Sequence, residues 1–405
     1  MFDERPPDAL KGAGWSSRLE AQRSYMAAFK GKETTVPTKK LFCPVRVGPL
    51  TLSHRVVMAP LTRLRSKVPG DMPVELMAEY YGQRASEGGL IISEGTVVSR
   101  GGRGYLGAPG IYCDEHVTAW RKVTEAVHAK GGYIFMQLWH VGRVSHFEMV
   151  GGEMPVAPSV VPFEGTAYTT NGWVKTSPHR ELKLEEIPGL VEGFRKAAKN
   201  AKAAGFDGVE IHAANGYIFD QFLQDGSNKR TDVYGGPVEN RARLLFEALE
   251  AVVDEWGGGR VGVRLSPNSL YNSMSDSHPE ATFAYVAERL NQYGLAYLHI
   301  IEPRVKGNET LGEDMPPVAA EQLRKVFKGN ILVAGGFDAD SAEEIVEKGI
   351  ADLVAFGRSF LANPDLPKRI KRGLPLNAYD RATFYNHDAR GYTDYPFYTD
   401  EPDAH

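Results

Sequence analysis

The chain has 405 residues, 42% of them apolar and 24% charged, with a formal net charge of −4. That balance suits a globular protein and gives no general attraction to nucleic acid or anionic lipid. Two cysteines, Cys43 and Cys113, exclude a disulfide framework and a four-thiolate iron–sulfur cluster built by this chain alone. No apolar run reaches membrane-spanning length.

Residues 1 to about 38 are polar and irregular, and we expect a peripheral arm there, with the main domain over 39–405. The early acids Asp3, Glu4 and Asp8 and the absence of an apolar leader argue against a secretory or transit peptide. Asp403-Ala404-His405 is not a peroxisomal tripeptide. A reducing, cytoplasmic setting is the expectation. From Val45 to Leu52 apolar and polar residues alternate around Gly48-Pro49, which predicts a hairpin.

A rhythm follows. Apolar, strand-like runs fall at Val56–Leu61, Leu90–Glu94, Tyr133–Trp139, Gly208–His212, Val261–Leu265, Tyr297–Ile301, Ile331–Ala334 and Leu353–Phe356. Helix-like stretches separate and follow them: Pro73–Ser86, Glu115–Ala129, Leu184–Ala204, Pro237–Glu255, Pro279–Tyr293, Pro317–Phe327, Asp340–Lys348 and Pro364–Arg372. Several open on proline and several close at glycine. Eight near-continuously apolar strands alternating with eight helices predict an α/β fold, a (β/α)8 TIM barrel. A doubly wound open sheet ranks lower, because no Gly-x-Gly-x-x-Gly follows the first strand. His140 to Lys183 is too long for an ordinary connection, and its Val156, Val160, Tyr168 and Val174 predict a small hairpin lid.

In such a barrel the site forms at the C-terminal ends of the strands. The fourth run leads into His212, Asn215 and Tyr217. His212 and Asn215 can both donate to one oxygen, and Tyr217 can donate a proton beside it. A lone histidine there would read as a satisfied core residue; three polar groups at one strand exit favour a site. The other strand ends offer Ala59, Pro60, Leu61 and Thr62, then Glu94 and Gly95, Gln137 and Trp139, Arg264, Glu302 and Arg304, Gly335 and Gly336, and Gly357 and Arg358. Arg264 interrupts an apolar strand, and an unpaired buried guanidinium is costly, so it must face an anion or strong acceptor. The glycine pair and Gly357-Arg358 follow strands seven and eight, the usual phosphate corner of this fold. Gln137 can read an amide-like edge; Trp139 reads equally well as core. No metal triad is visible. A phosphate corner, an amide reader and a cation for a delocalised ring together point to flavin mononucleotide (FMN).

These residues also carry a family resemblance. From Leu41 to about Pro396 the chain resembles the Old Yellow Enzyme family of ene-reductases, including the 12-oxophytodienoate reductases. The motifs are Arg55–Arg63, Ile92-Ser93-Glu94-Gly95, Gln137-Leu138-Trp139-His140, His212–Tyr217, Asp232–Gly236, Gly357-Arg358-Ser359 and Thr383-Phe384-Tyr385, in that order. The resemblance implies one non-covalent FMN at the barrel mouth. Its cofactor wall would be Ala59, Pro60, Leu61, Thr62, Gly95, Gln137, Arg264, Gly335, Gly336, Gly357 and Arg358. The substrate side would comprise His212, Asn215, Tyr217, Trp139, Arg304, Phe384 and Tyr385. It further implies ping-pong turnover. NADPH, with NADH as an alternative, reduces the flavin. An α,β-unsaturated carbonyl then receives hydride at Cβ from flavin N5 and a proton at Cα from Tyr217. No metal, nucleic acid or membrane partner is implied, and the protein would be a monomer or homodimer. Two stretches depart from the family pattern: the first forty residues and Asn386–Arg390. Two further readings stay open: a flavin-free phosphate-binding aldolase or isomerase, which wants a lysine or carboxylate base at a strand end, and a non-catalytic flavin-binding protein.

Overall fold

The computed structural model of the protein describes residues 39–267, 269–303, 305–306, 309–310 and 319–400. The expected arm over 1–38, and Arg304, lie outside the described residues. Eight strands form the ring: β1 (Val56–Met58), β2 (Leu90–Ile92), β3 (Tyr133–Trp139), β4 (Gly208–His212), β5 (Val261–Leu265), β6 (Tyr297–Ile301), β7 (Ile331–Ala334) and β8 (Leu353–Phe356). Every neighbouring pair is parallel, and the β3–β4 and β8–β1 pairings close the circle. This is the predicted barrel. β1 is shorter than its apolar run. Ala59 still donates to the Phe356 carbonyl, but Pro60 has no N–H to continue the ladder.

The α-helices among the described residues are α1 (Glu75–Arg84), α2 (Asp114–His128), α3 (Ile187–Ala203), α4 (Ile218–Leu223), α5 (Val238–Arg241), α6 (Arg243–Trp256), α7 (Pro279–Leu290), α8 (Ala319–Arg324), α9 (Ala339–Glu347), α10 (Arg358–Ala362) and α11 (Leu366–Arg372). Nine of them occupy the eight predicted stretches, with Pro237–Glu255 divided into α5 and α6, while the short α4 and α10 are not predicted. Two apolar layers result from strand alternation. Residues pointing outward, such as Val209 and Ile211 of β4, pack under helical residues such as Phe194, Ala197 and Leu249. Residues pointing inward at the lower levels, Val57, Leu90, Phe135, Tyr297, Leu332 and Leu353, fill the barrel. The predicted hairpin, Val45–Val47 with Leu50–Leu52, plugs the bottom with Val47, Leu50 and Leu52. Each fully buried aliphatic or aromatic side chain here stabilises by about 1.5–3 kcal/mol.

The long connection after β3 carries a hairpin, Thr166–Thr169 with Gly172–Lys175, which includes the expected Tyr168 and Val174. Val156 instead pairs in parallel with Arg180, and Val160 stands 66% exposed outside any strand. The lid is therefore smaller than the four apolar residues implied, and Val160 takes no part in it. No helix among the described residues is long and apolar enough to cross a membrane.

Candidate active site

A cavity of about 840 Å³ opens at the C-terminal mouth of the barrel, a size that suits a cofactor-scale ligand. Its lining includes Ala59, Pro60, Leu61, Thr62, Gln137, Trp139, His212, Asn215, Tyr217, Arg264, Gly335, Gly336, Gly357, Arg358, Phe384 and Tyr385. Sixteen side chains or backbones singled out in the sequence thus meet on one surface. Gly95 does not line it. A Cβ at Gly95 would sit 2.5 Å from the Trp139 ring, so its smallness makes room for that indole.

β4 delivers the polar end. His212 is buried, with its ring 5.0 Å from that of Tyr217 at 80°, and roughly parallel to Trp139 at 6.3 Å. Burial first, and then Arg264 and the neighbouring His299, hold its pKa well below the usual imidazole value, so at neutral pH it is a neutral ring. Its Nδ1 has no partner among the described residues. Tyr217 follows at the N-terminal edge of α4. Its hydroxyl lies 3.5 Å from that of Tyr105, at the outer limit of a hydrogen bond, and burial raises its pKa well above the usual phenol value. Between them Asn215 adopts φ +59°, a left-handed turn that asparagine tolerates. Ser266 accepts its N–H at 2.8 Å, and Asn272 donates to its carbonyl at 2.8 Å. Asp220 accepts the next N–H, from Gly216, at 2.8 Å. The turn that aims these residues is therefore pinned at three consecutive points.

Beneath them runs a layer of buried polar residues from neighbouring strands. Gln137 of β3 donates its side-chain N–H to Glu210 of β4 at 2.8 Å. The other Glu210 oxygen lies 2.8 Å from His299 Nδ1 on β6. Arg264 of β5 is 9% exposed, its Nε is unpartnered, and Glu210 is the carboxylate that supports its charge against desolvation. The opposite half of the mouth is built from small residues: Ala59, Ala334 and Ala355, then Gly335 at φ +128° and Gly336 at φ +70°. A side chain at Gly335 would be strained and would press on Glu302 at 3.0 Å. Arg358 reaches the rim beside Tyr379, 3.5 Å from its hydroxyl.

Phe384 and Tyr385 arrive from far along the chain. Arg63, in the segment that follows Pro60–Thr62, donates to the carbonyls of Phe384 at 3.1 Å and Gly391 at 2.6 Å. Arg65 donates to Thr383, Phe384, Asp388 and Arg390. Both arginines are buried, so these charge-assisted bonds are strong, and they tie the C-terminal segment to the loop after β1. The divergent stretch Asn386–Arg390 is thereby explained in part: its backbone carbonyls, rather than its side chains, meet Arg65.

The residues that sequence reasoning passed over are Glu210, His299, Tyr105, Tyr271 and Trp173. Glu210 and His299 interrupt apolar strands just as Arg264 does, so the same signal marks them. Tyr105 stacks on Trp139 at 5.3 Å, and Trp173 of the hairpin packs on Tyr105 and Tyr385. These tyrosines sit in irregular segments where no periodicity singles them out. The strand-end acids are structural. Glu94 accepts from the Arg63 backbone and from Tyr81, and Glu302 accepts from the N–H groups of Ala319 and Ala320. No lysine lines the cavity among the described residues, and the carboxylate that does, Asp338, is engaged by the Ser341 N–H and hydroxyl as the cap of α9, so the aldolase reading finds no free base there.

Fold and site together define a (β/α)8 barrel with a cofactor-sized cleft at the strand ends. A family model for the NADH:flavin oxidoreductase / NADH oxidase family matches residues 40–377. The chain is 48% identical over 368 residues to 12-oxophytodienoate reductase 2 of Arabidopsis thaliana, covering 88% of this chain and 95% of that protein. It is 44% identical over 384 residues to the flavin oxidoreductase hxnT of Emericella nidulans, covering 89% and 98%. The solved structure of morphinone reductase in complex with tetrahydroNAD superimposes with a TM-score of 0.83 at 48% identity, over 89% of this chain and 98% of that one. The chain belongs to the NADH:flavin oxidoreductase family, the Old Yellow Enzymes. It is an FMN-dependent, NAD(P)H-using oxidoreductase. The cleft fits that cofactor: an unpartnered buried Nε on Arg264 and the small, open-angled glycines at Gly335 and Gly336 are what a flavin ring and its phosphate tail require.

Proposed function

We propose that this enzyme reduces the carbon–carbon double bond of α,β-unsaturated carbonyl compounds, with NADPH or NADH as reductant, in two half-reactions. One observation supports this most: two neutral donors and one protonated phenol converge at one end of the cleft. Bound FMN would supply the hydride chemistry between the nicotinamide and Cβ. His212 and Asn215 hold the carbonyl oxygen. Because His212 is uncharged, it acts as a hydrogen-bond donor to the oxygen as negative charge gathers there. Tyr217 holds a proton and delivers it to Cα. Arg264 would offset negative charge on the reduced ring, Gln137 would read its pyrimidine edge, and Gly335, Gly336, Gly357 and Arg358 would hold the phosphate. Tyr105, Trp139, Trp173 and Tyr385 wall the substrate face with rings and exclude water.

The test is stopped-flow kinetics with the two half-reactions separated. Flavin absorbance is followed first during reduction by each nicotinamide, then during reoxidation by a panel of enones. Rapid bleaching by NADPH and recovery by enones but not by saturated ketones is the expected result. A flavin that is reduced yet reoxidised by oxygen alone would sink the proposal.

A further inference from the structure

The layer beneath the cleft contains a fully buried carboxylate that the two half-reactions do not use. Glu210 sits mid-strand in β4, with no exposed surface. It is paired in register with Gln137 on one side and Gly262 on the other. One oxygen lies 2.8 Å from Gln137 Nε2 and the other 2.8 Å from His299 Nδ1. Burial favours protonating this carboxyl, but His299, Arg264 and Gln137 outweigh it and hold the pKa below the usual value. The group is therefore an anion, and an anion only accepts. Two consequences follow. His299 must carry its proton on Nδ1. Gln137 must turn its NH₂ toward Glu210, which leaves its carbonyl oxygen as the atom it can offer elsewhere.

We propose that Glu210 is a positioning residue for the cofactor: it locks the Gln137 amide so that the cleft sees an acceptor, matched to the N–H of the flavin's pyrimidine ring. Without this lock the amide has two orientations of similar shape. One of them sets a donor against a donor. The same carboxylate lies in the layer of Arg264 and partly offsets its charge, so it also lowers the electron affinity of the ring that Arg264 serves. His299 holds the second oxygen and keeps the carboxylate from turning. The inference rests on the assignment of Gln137 to the flavin edge.

The experiment uses the full chain and compares Glu210→Gln, Gln137→Leu and the double variant. The readouts are the FMN dissociation constant, from fluorescence recovery on release, and the midpoint potential of the bound flavin. Glu210→Gln should weaken FMN by roughly tenfold or more, the scale of one hydrogen bond to a charged group, and should move the potential to a more positive value. In the Gln137→Leu background the same substitution should add little to FMN loss, because the residue it positions has gone. It should still move the potential, because the charge has gone. Glu210→Gln with affinity and potential like the parent would overturn the proposal, as would full additivity of FMN loss in the double variant. If Gln137→Leu itself binds FMN as the parent does, the assignment of Gln137 is what fails, and a different result identifies it. A further measurement needs no substitution at 210: in the loaded parent protein the flavin N3 proton should be protected from exchange with solvent, and free exchange would overturn the acceptor role.

Discussion

The two halves of the barrel mouth are built on opposite terms. From β3 to β6 the inward positions near the top are Gln137, Trp139, Glu210, His212, Arg264 and His299, polar or aromatic and all buried. From β7 through β8 to β1 they are Ala334, Ala355 and Ala59, with glycines following on β7 and β8 and Pro60 on β1. Burying charge is costly, and in the polar half Gln137, Glu210 and His299 answer one another, while Trp139, His212 and Arg264 each keep a buried nitrogen with no partner among the described residues. The small-residue half needs no such network. It contributes space and backbone close to the ligand. On the function proposed above, chemistry and charge state would be set on one side, and the cofactor's tail held on the other.

That division yields graded tests. The largest effect should come from the polar half. In Tyr217→Phe only a hydroxyl is lost. Reoxidation by enones should slow by roughly 10²- to 10⁴-fold, the usual contribution of a general acid. Flavin reduction by NADPH and FMN affinity should stay near normal. If the nicotinamide step collapses instead, Tyr217 belongs with the reductant and not with Cα.

Next comes His212→Ala, which should cost roughly 10²- to 10³-fold in the enone step, the scale of one oxyanion donor. Titration with a phenol as a substrate mimic should show weakened binding in the same variant. Unchanged turnover would remove His212 from the mechanism. A smaller effect should come from the other half. Arg358→Ala should weaken FMN by about 1–3 kcal/mol, the range for a hydrogen bond to a charged group. Once loaded with excess FMN, it should turn over both half-reactions near the parent rates. An Arg358 variant that stays fully loaded but reduces enones slowly would dissolve the distinction between the halves.

The sequence made the small half more readable than the polar one. The glycine pair after strand seven, Gly357-Arg358 after strand eight, and Pro60 at the end of strand one are local signals with fixed positions in a barrel. The eight-fold rhythm is equally local, because each strand is apolar on both faces. What stayed hidden depends on contacts across strands. Glu210 and Gln137 are 73 residues apart and meet only because β3 and β4 pair in that register. Arg65 and Phe384 are 319 residues apart and meet through a backbone carbonyl, which no side-chain pattern announces. Arg264 was legible because it breaks an apolar run. Glu210 and His299 break theirs too, but each stands at the centre of its five-residue strand and not toward its end, where a site is sought.

The smallest expected effect is a near absence of one, and it follows from the polar half's charge states. His212 has its pKa held well below the ordinary imidazole value, chiefly by burial and then by Arg264 and His299. It stays neutral throughout the physiological range, and no proton is gained as pH falls from about 8 to about 6.5, the ordinary histidine value. Tyr217 has its pKa raised well above that of an ordinary phenol, again chiefly by burial. It keeps its proton as pH rises through about 9, below the ordinary tyrosine value of about 10. Both groups therefore remain in their working forms between these limits, and the enone half-reaction should be flat across them. The nearest group that titrates at the edge of this window is Asp220, pushed up to about 6, mainly by burial. It reaches the site only through Gly216 and Ser266, so protonating it should leave no more than a shallow inflection on the acid side. Asp220→Asn should remove that inflection without changing the plateau. The check is the single-turnover rate of flavin reoxidation measured at steps of pH. A steep acid limb centred on the ordinary histidine value, which persists in Asp220→Asn, would mean that His212 does take up a proton and that the imidazole acts as a charged donor.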